Sequence, residues 1–101
     1  MKFLEEFGIG VGTIEMLERI CSNDEIKSLE YNADILYGSI EYLKSIGLTI
    51  ETIEKIMIED HHVLIAGENH LRKAVNKVDK NKLVTALNNN IEYMCYLKNF
   101  S

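Results

Sequence analysis

Three features of this sequence predict an all-α fold, a small orthogonal domain of five to seven short helices. Apolar residues recur at helical spacing through most of its 101 residues. A glycine-stopped segment occurs twice. The one run that could read as a strand, residues 63–66, has no second such run to pair with.

The repeat comes first in chain order. Phe3-Leu4-Glu5-Glu6-Phe7-Gly8-Ile9 returns as Tyr42-Leu43-Lys44-Ser45-Ile46-Gly47-Leu48, and the match continues, with Thr13-Ile14-Glu15 falling on Thr52-Ile53-Glu54 and Leu17 on Ile56. A repeat sets architecture before any single residue is interpreted. It predicts one domain with repeat-like units at about 3–41 and 42–78, both degenerate helix-turn-helix units, then a C-terminal helix at about 79–98. Gly8 and Gly47 are helix stops in this reading. A glycine just past a helix end takes the left-handed conformation at little cost, and the next apolar residue packs back, Ile9 on Leu4 and Leu48 on Leu43.

After the first stop, Gly10 or Gly12 opens a helix at 13–20 with Ile14, Leu17 and Cys21 inward, and residues 24–29 read as one more helical turn. Residues 31–46 form a helix whose stripe is Leu36, Ile40, Leu43 and Ile46. Asn32 and Asp34 supply oxygens and negative charge at its start. Thr49 caps a helix at 50–58 with Ile50, Ile53, Ile56 and Met57 on one face. Residues 63–66 are too short for periodicity to assign and read as a buried turn or short helix. Asn69 caps a helix at 70–78 with Leu71, Ala74, Val75 and Val78 inward. The last helix begins near Asp79 and carries Leu83, Leu87, Ile91, Met94 and Leu97. Asn88-Asn89-Asn90 interrupts it, because asparagine side chains compete for backbone hydrogen bonds.

Composition narrows the class. A 47% hydrophobic content argues for a packed core rather than disorder. No apolar run approaches the roughly 20 residues of a membrane span, and the N-terminus turns acidic at once, without a secretory apolar region. A cytoplasmic protein is the expectation. Cys21 and Cys95, far apart, read as small hydrophobes rather than a disulfide in a reducing compartment. Abundant Ile, Lys and Asn point to an AT-rich genome, a low-GC bacterium or its phage.

The pattern of a Leu, an apolar residue, Gly and a second apolar residue, then a polar cap, a short Ile-rich helix, a turn and another capped helix, resembles the helical repeats of mitochondrial transcription termination factors (mTERF-like proteins). Residues 42–78 carry it best, with 31–46 feeding in and a poorer copy at 3–29. The resemblance implies stacked helical repeats and nucleic-acid binding through a basic groove. The family's proline after the short helix is replaced here by Asp60-His61-His62. The stretch 42–56 also looks like a helix pair of MerR-type regulators.

The net charge of −5 is unevenly spread. Residues 1–67 carry five Lys/Arg against thirteen Asp/Glu, and residues 68–101 carry six against three. Arg72, Lys73, Lys77, Lys80 and Lys82 form a positive ridge that could contact phosphates. A solvated helix face accounts for the same ridge. No aromatic–basic interleaving or zinc-finger spacing accompanies it. The acidic part suits a basic partner protein, and solubility explains it equally well. Among the tyrosines, Tyr31, Tyr37, Tyr93 and Tyr96 are candidate interface anchors, since a tyrosine buries a large area and keeps a polar tip. Completion of a small core is the competing role.

Catalytic signatures are missing. There is no nucleophile elbow, phosphate loop or paired-carboxylate pattern, and Gly8-Ile9-Gly10-Val11-Gly12 lacks the strand and spacing of a dinucleotide site. Glu59-Asp60-His61-His62 with Glu68 and His70 is the one cluster of metal-capable side chains in sequence, but adjacent histidines diverge on a helix, so no metal ligands are assigned. The sequence therefore predicts a non-enzymatic, acidic helical binding protein with no cofactor, no membrane association and no small-molecule substrate evident. Its leading partner class is another protein, as regulator or inhibitor, or a second copy of itself. The alternative is nucleic-acid binding through the ridge 72–82. A metal-dependent activity at His61, His62 and His70 is the third reading.

Overall fold

The computed structural model describes residues 1–94 and Leu97. It is all-α, as the sequence predicts, and its described residues form α1 (Phe3–Glu6), α2 (Val11–Ile20), α3 (Asn23–Tyr31), α4 (Ala33–Ser45), α5 (Ile50–Asp60), α6 (His62–Ile65), α7 (Glu68–Asn76) and α8 (Lys80–Asn89), followed by a 3₁₀ turn at Ile91–Met94. Two of the eight α-helices, α1 and α6, are single turns of 4 residues.

Both glycine stops have the expected form. Gly8 and Gly47 have φ of +93° and +112°. The Ile9 N–H reaches back to the Leu4 carbonyl and the Gly8 N–H to that of Glu5; the Leu48 N–H reaches Leu43 and the Gly47 N–H Lys44. These paired bonds satisfy carbonyls that the helix end would leave open. Leu4, Ile9, Leu43 and Leu48 are all buried, so each stop also contributes to the core.

Other boundaries differ from the sequence reading, each for a local reason. The helix expected at 31–46 begins only at Ala33, because Tyr31 ends α3 and the Asn32 side chain donates backward to the Ser28 carbonyl instead of capping α4. Residues 23–31 form a full helix rather than one turn, because Ser22 and Glu25 make a reciprocal capping box: the Glu25 N–H donates to Ser22 Oγ, and the Ser22 N–H donates to Glu25 Oε1. α2 starts at Val11 rather than at 13, with Gly10 as its cap. α7 starts at Glu68 from Gly67, so Asn69 is inside the helix and is not its cap. α5 runs two residues beyond 58, to Asp60. Asp79 does cap α8, accepting from the Lys82 N–H, and α8 ends inside the asparagine triplet, where Asn90 is extended. Of the C-terminal helix expected at 79–98, residues 80–89 are α-helical and 91–94 are 3₁₀.

One continuous core unites these short elements. It is built on Leu4, Leu17, Leu29, Leu36, Ile40, Leu43, Ile53, Ile56, Met57, Leu64 and Leu71, all fully buried. The two polar side chains Ser39 and Thr52 are buried with partners: Ser39 Oγ donates to the Leu64 carbonyl at 2.6 Å, and Thr52 Oγ1 donates to Asn88 Oδ1 at 2.8 Å. Buried polar groups cost little when so satisfied. The radius of gyration, 12.7 Å, matches the roughly 13 Å of a compact 100-residue unit.

Candidate interaction surface and a three-donor cluster

The candidate tyrosines separate by environment. Tyr31, at the end of α3, is 90% exposed. Tyr37 is half-exposed on α4 and packs its ring against Phe7 at 5.1 Å, with Phe3 continuing the stack at 5.6 Å from Phe7. Tyr93 lines a cleft of about 270 Å³ with Val78, Leu83 and Ala86. Tyr96 and Cys95 lie outside the described residues. Tyr42, by contrast, is buried. Burial foremost pushes its hydroxyl pKa up, with Arg72 opposing.

The basic ridge is not uniform. The Arg72 guanidinium pairs with Glu68 one turn earlier on α7 and lies 4.6 Å over the Tyr42 ring. It serves as a lid on the core. Lys73, Lys80 and Lys82 are exposed on α7 and α8, and Lys77 ends α7 between them.

On the acidic side, α4 meets the α6–α7 junction across a groove of about 390 Å³. Asp34, Ile35, Gly38, Gly67 and Glu68 are among the residues that line it. Glu68 Oε1 sits 3.8 Å from where a Cβ on Gly38 would project, and Ile35 Cγ2 stands 3.6 Å from the equivalent point on Gly67. Any larger residue at either glycine would fill the groove. Asp34 and Ile35 are exposed.

The histidine region differs from the sequence expectation. His61 and His62 do not diverge, because they occupy the break between α5 and α6 rather than one regular helix. Their rings stack at 4.3 Å with 29° between planes. His62 Nδ1 lies 3.1 Å from Asp60 Oδ1. His61 turns inward, 7% exposed, and its Nε2 is buried without a hydrogen-bond partner. Glu25 Oε2 is 3.7 Å away, too far for a hydrogen bond. Burial first, then His62, pushes the His61 pKa down, so the pair is not an ion pair near neutral pH.

What meets His61 is not His70 but two residues of the α2–α3 junction. Cys21 closes α2, Glu25 stands in the first turn of α3, and His61 joins α5 to α6. One donor atom from each, thiol sulfur, carboxylate oxygen and ring nitrogen, lie within 4.8 Å of one another. Cys21 is a half-buried free thiol. Its pKa is raised by burial and then by the Glu25 carboxylate. Glu25 itself is pulled below the usual carboxylate range, chiefly by the Ser22 N–H and then the Ser22 hydroxyl. The sequence held a signal for this set, an i, i+4 Cys–Glu pair, but nothing in it linked that pair to a histidine so far along the chain.

No helix among the described residues is long and apolar enough to cross a membrane. Comparison with protein-family models, with curated proteins and with solved structures returned no match.

Proposed function

We propose that this chain is a non-enzymatic helical binding domain that takes a basic segment of a partner protein in the groove between α4 and the α6–α7 junction. The observation that carries this reading is a groove lined by two carboxylate side chains, Asp34 and Glu68, two glycines, Gly38 and Gly67, and the exposed Ile35, with Tyr31 exposed at the end of the preceding helix. A Lys or Arg side chain suits such a groove, its stem against Ile35 and its charge toward Asp34 and Glu68 Oε1, the carboxylate oxygen that Arg72 does not hold. The exposed tyrosine adds large, partly apolar contact area at low entropic cost. The acidic surroundings, including Glu30 and Glu41, steer a basic chain inward. The exposed lysines of α7 and α8 do not assemble an equivalent slot, since Arg72 is committed to Glu68 and Tyr42.

The test is an NMR titration with a short Lys/Arg-rich peptide carrying one aromatic residue. Expected are shifts confined to Tyr31, Asp34, Ile35, Gly38, Gly67 and Glu68, lost in Asp34→Asn/Glu68→Gln. Shifts scattered over the whole acidic surface would overturn the groove. So would a DNA or RNA oligonucleotide that binds at Lys73, Lys80 and Lys82 while the peptide does not. Concentration-dependent shifts at the groove without peptide would assign it to a second copy of the chain and overturn the basic-segment reading.

A further inference from the structure

We propose that Cys21, Glu25 and His61 form a binding site for a late transition metal ion of the Zn²⁺ type. The inference stands apart from the groove reading, since it uses a different face and different residues. Three observations meet here. The donor set is thiol, carboxylate and imidazole, the N/S/O mixture that zinc takes and that Mg²⁺ or Ca²⁺ do not. The donor atoms lie within 4.8 Å of one another. And His61 Nε2 is buried, unpartnered and 3.7 Å from Glu25 Oε2.

The third observation is the one a purely structural role fails to explain. Leaving a ring nitrogen buried without a partner is costly, and native structures retain few such atoms. A metal ion removes that cost. The distances suit one. With bonds of roughly 2.3 Å to sulfur and 2.0–2.2 Å to nitrogen and oxygen, tetrahedral geometry sets neighbouring donors roughly 3.4–3.6 Å apart. The His61–Glu25 pair is already at 3.7 Å. Cys21, partly exposed at the helix junction, is the donor left to draw in, while Glu25 is held by its capping box and His61 is buried.

The supporting groups also fit. Glu25 Oε1 is occupied by the Ser22 N–H, which orients the carboxylate and leaves Oε2 toward the site. This is the kind of hydrogen-bonded ligand support that metal centres use. On binding, the Cys21 S–H bond breaks, its proton passes to solvent and a metal–sulfur bond forms. The fourth position falls to water. The site ties the α2–α3 junction to the α5–α6 junction, two places where the chain otherwise has only short helices to hold it.

The experiment uses the whole chain, reduced with a phosphine and stripped by chelator, then titrated with Zn²⁺ and, separately, Co²⁺. Expected are one ion per chain, a higher melting temperature with Zn²⁺, and a near-ultraviolet thiolate-to-cobalt charge-transfer band with Co²⁺. Cys21→Ser abolishes the band, and His61→Gln weakens zinc binding by more than about 100-fold, beyond the 10–100-fold span of ligand-supporting contacts. Glu25→Gln keeps the capping box and still weakens binding, so a loss there is not a folding defect. Cys95→Ser and His62→Gln retain both the band and the affinity. Absence of binding to the reduced chain overturns the site. So does a band that survives Cys21→Ser or disappears in Cys95→Ser.

Discussion

Asn88, near the end of α8, donates through Nδ2 to the carbonyl of Gly47 at 3.2 Å. Its Oδ1 accepts from the Thr49 N–H at 3.1 Å and from Thr52 Oγ1 at 2.8 Å. One amide thus closes the whole α4–α5 turn from a helix far along the chain. Replacing it by alanine removes three hydrogen bonds, one of them to the buried Thr52 hydroxyl. Asn88→Ala is expected to lower stability by about 1–3 kcal/mol, measured by urea denaturation, whereas Asn89→Ala, whose side chain donates only to the Thr85 carbonyl within its own helix, costs well under half of that.

Gly47 has φ of +112° and Val84 Cγ1 lies 3.3 Å from the point a Cβ would occupy. Gly47→Ala meets both backbone strain, about 1–2 kcal/mol for a non-glycine residue with left-handed φ, and a contact that must give. Val84→Ala in the same chain relieves only the contact. A double mutant that recovers part of the loss in thermal unfolding, and not all of it, is the expected result.

Gly12 lies inside α2, and nothing is within 4 Å of a Cβ added there. Glycine in a helix interior is less favourable than alanine by about 0.5–1 kcal/mol. Gly12→Ala should raise the melting temperature. A drop would mean that something needs the space, for instance a partner that approaches the exposed α2 backbone.

Lys73, Lys80 and Lys82 are exposed. Charge reversal at all three should change stability by less than about 0.5 kcal/mol per site and leave binding of a basic peptide intact or stronger, since long-range attraction rises as net charge grows more negative. Weaker peptide binding in an otherwise folded triple variant would contradict the placement of the partner on the acidic side.

The architecture was legible where information is local. The Leu43–Gly47–Leu48 stop, the Thr49 cap, the helix start near Asp79 and the stripe Ile53, Ile56 and Met57 are each written within a few residues, and each forms as the sequence predicts. The Ser22–Glu25 capping box was equally local but went unread, which is why α3 is longer than expected. Asn32 was read as a cap by type, yet its side chain took the Ser28 carbonyl, a choice between two partners that composition cannot rank. The Cys21–Glu25–His61 cluster was illegible for a different reason. Its members are brought together by the packing of α2 on α5, and no spacing rule connects Glu25 to a histidine after α5. The groove likewise depends on residues of α4 and of the α6–α7 junction that no local spacing connects.

The glycine stops and the Asn88 clamp meet at the same turn but span very different lengths of chain. The stop closes from Leu43 to Leu48; the clamp joins residues 41 apart. Local loops close in roughly 10–100 ns, and longer closures carry a growing entropy cost. In kinetic terms, the repeated motif is a pair of nucleation points, and Asn88 is a latch that engages after the core has gathered. Folding rates should therefore respond to Gly47→Ala and barely to Asn88→Ala, whose effect falls on unfolding.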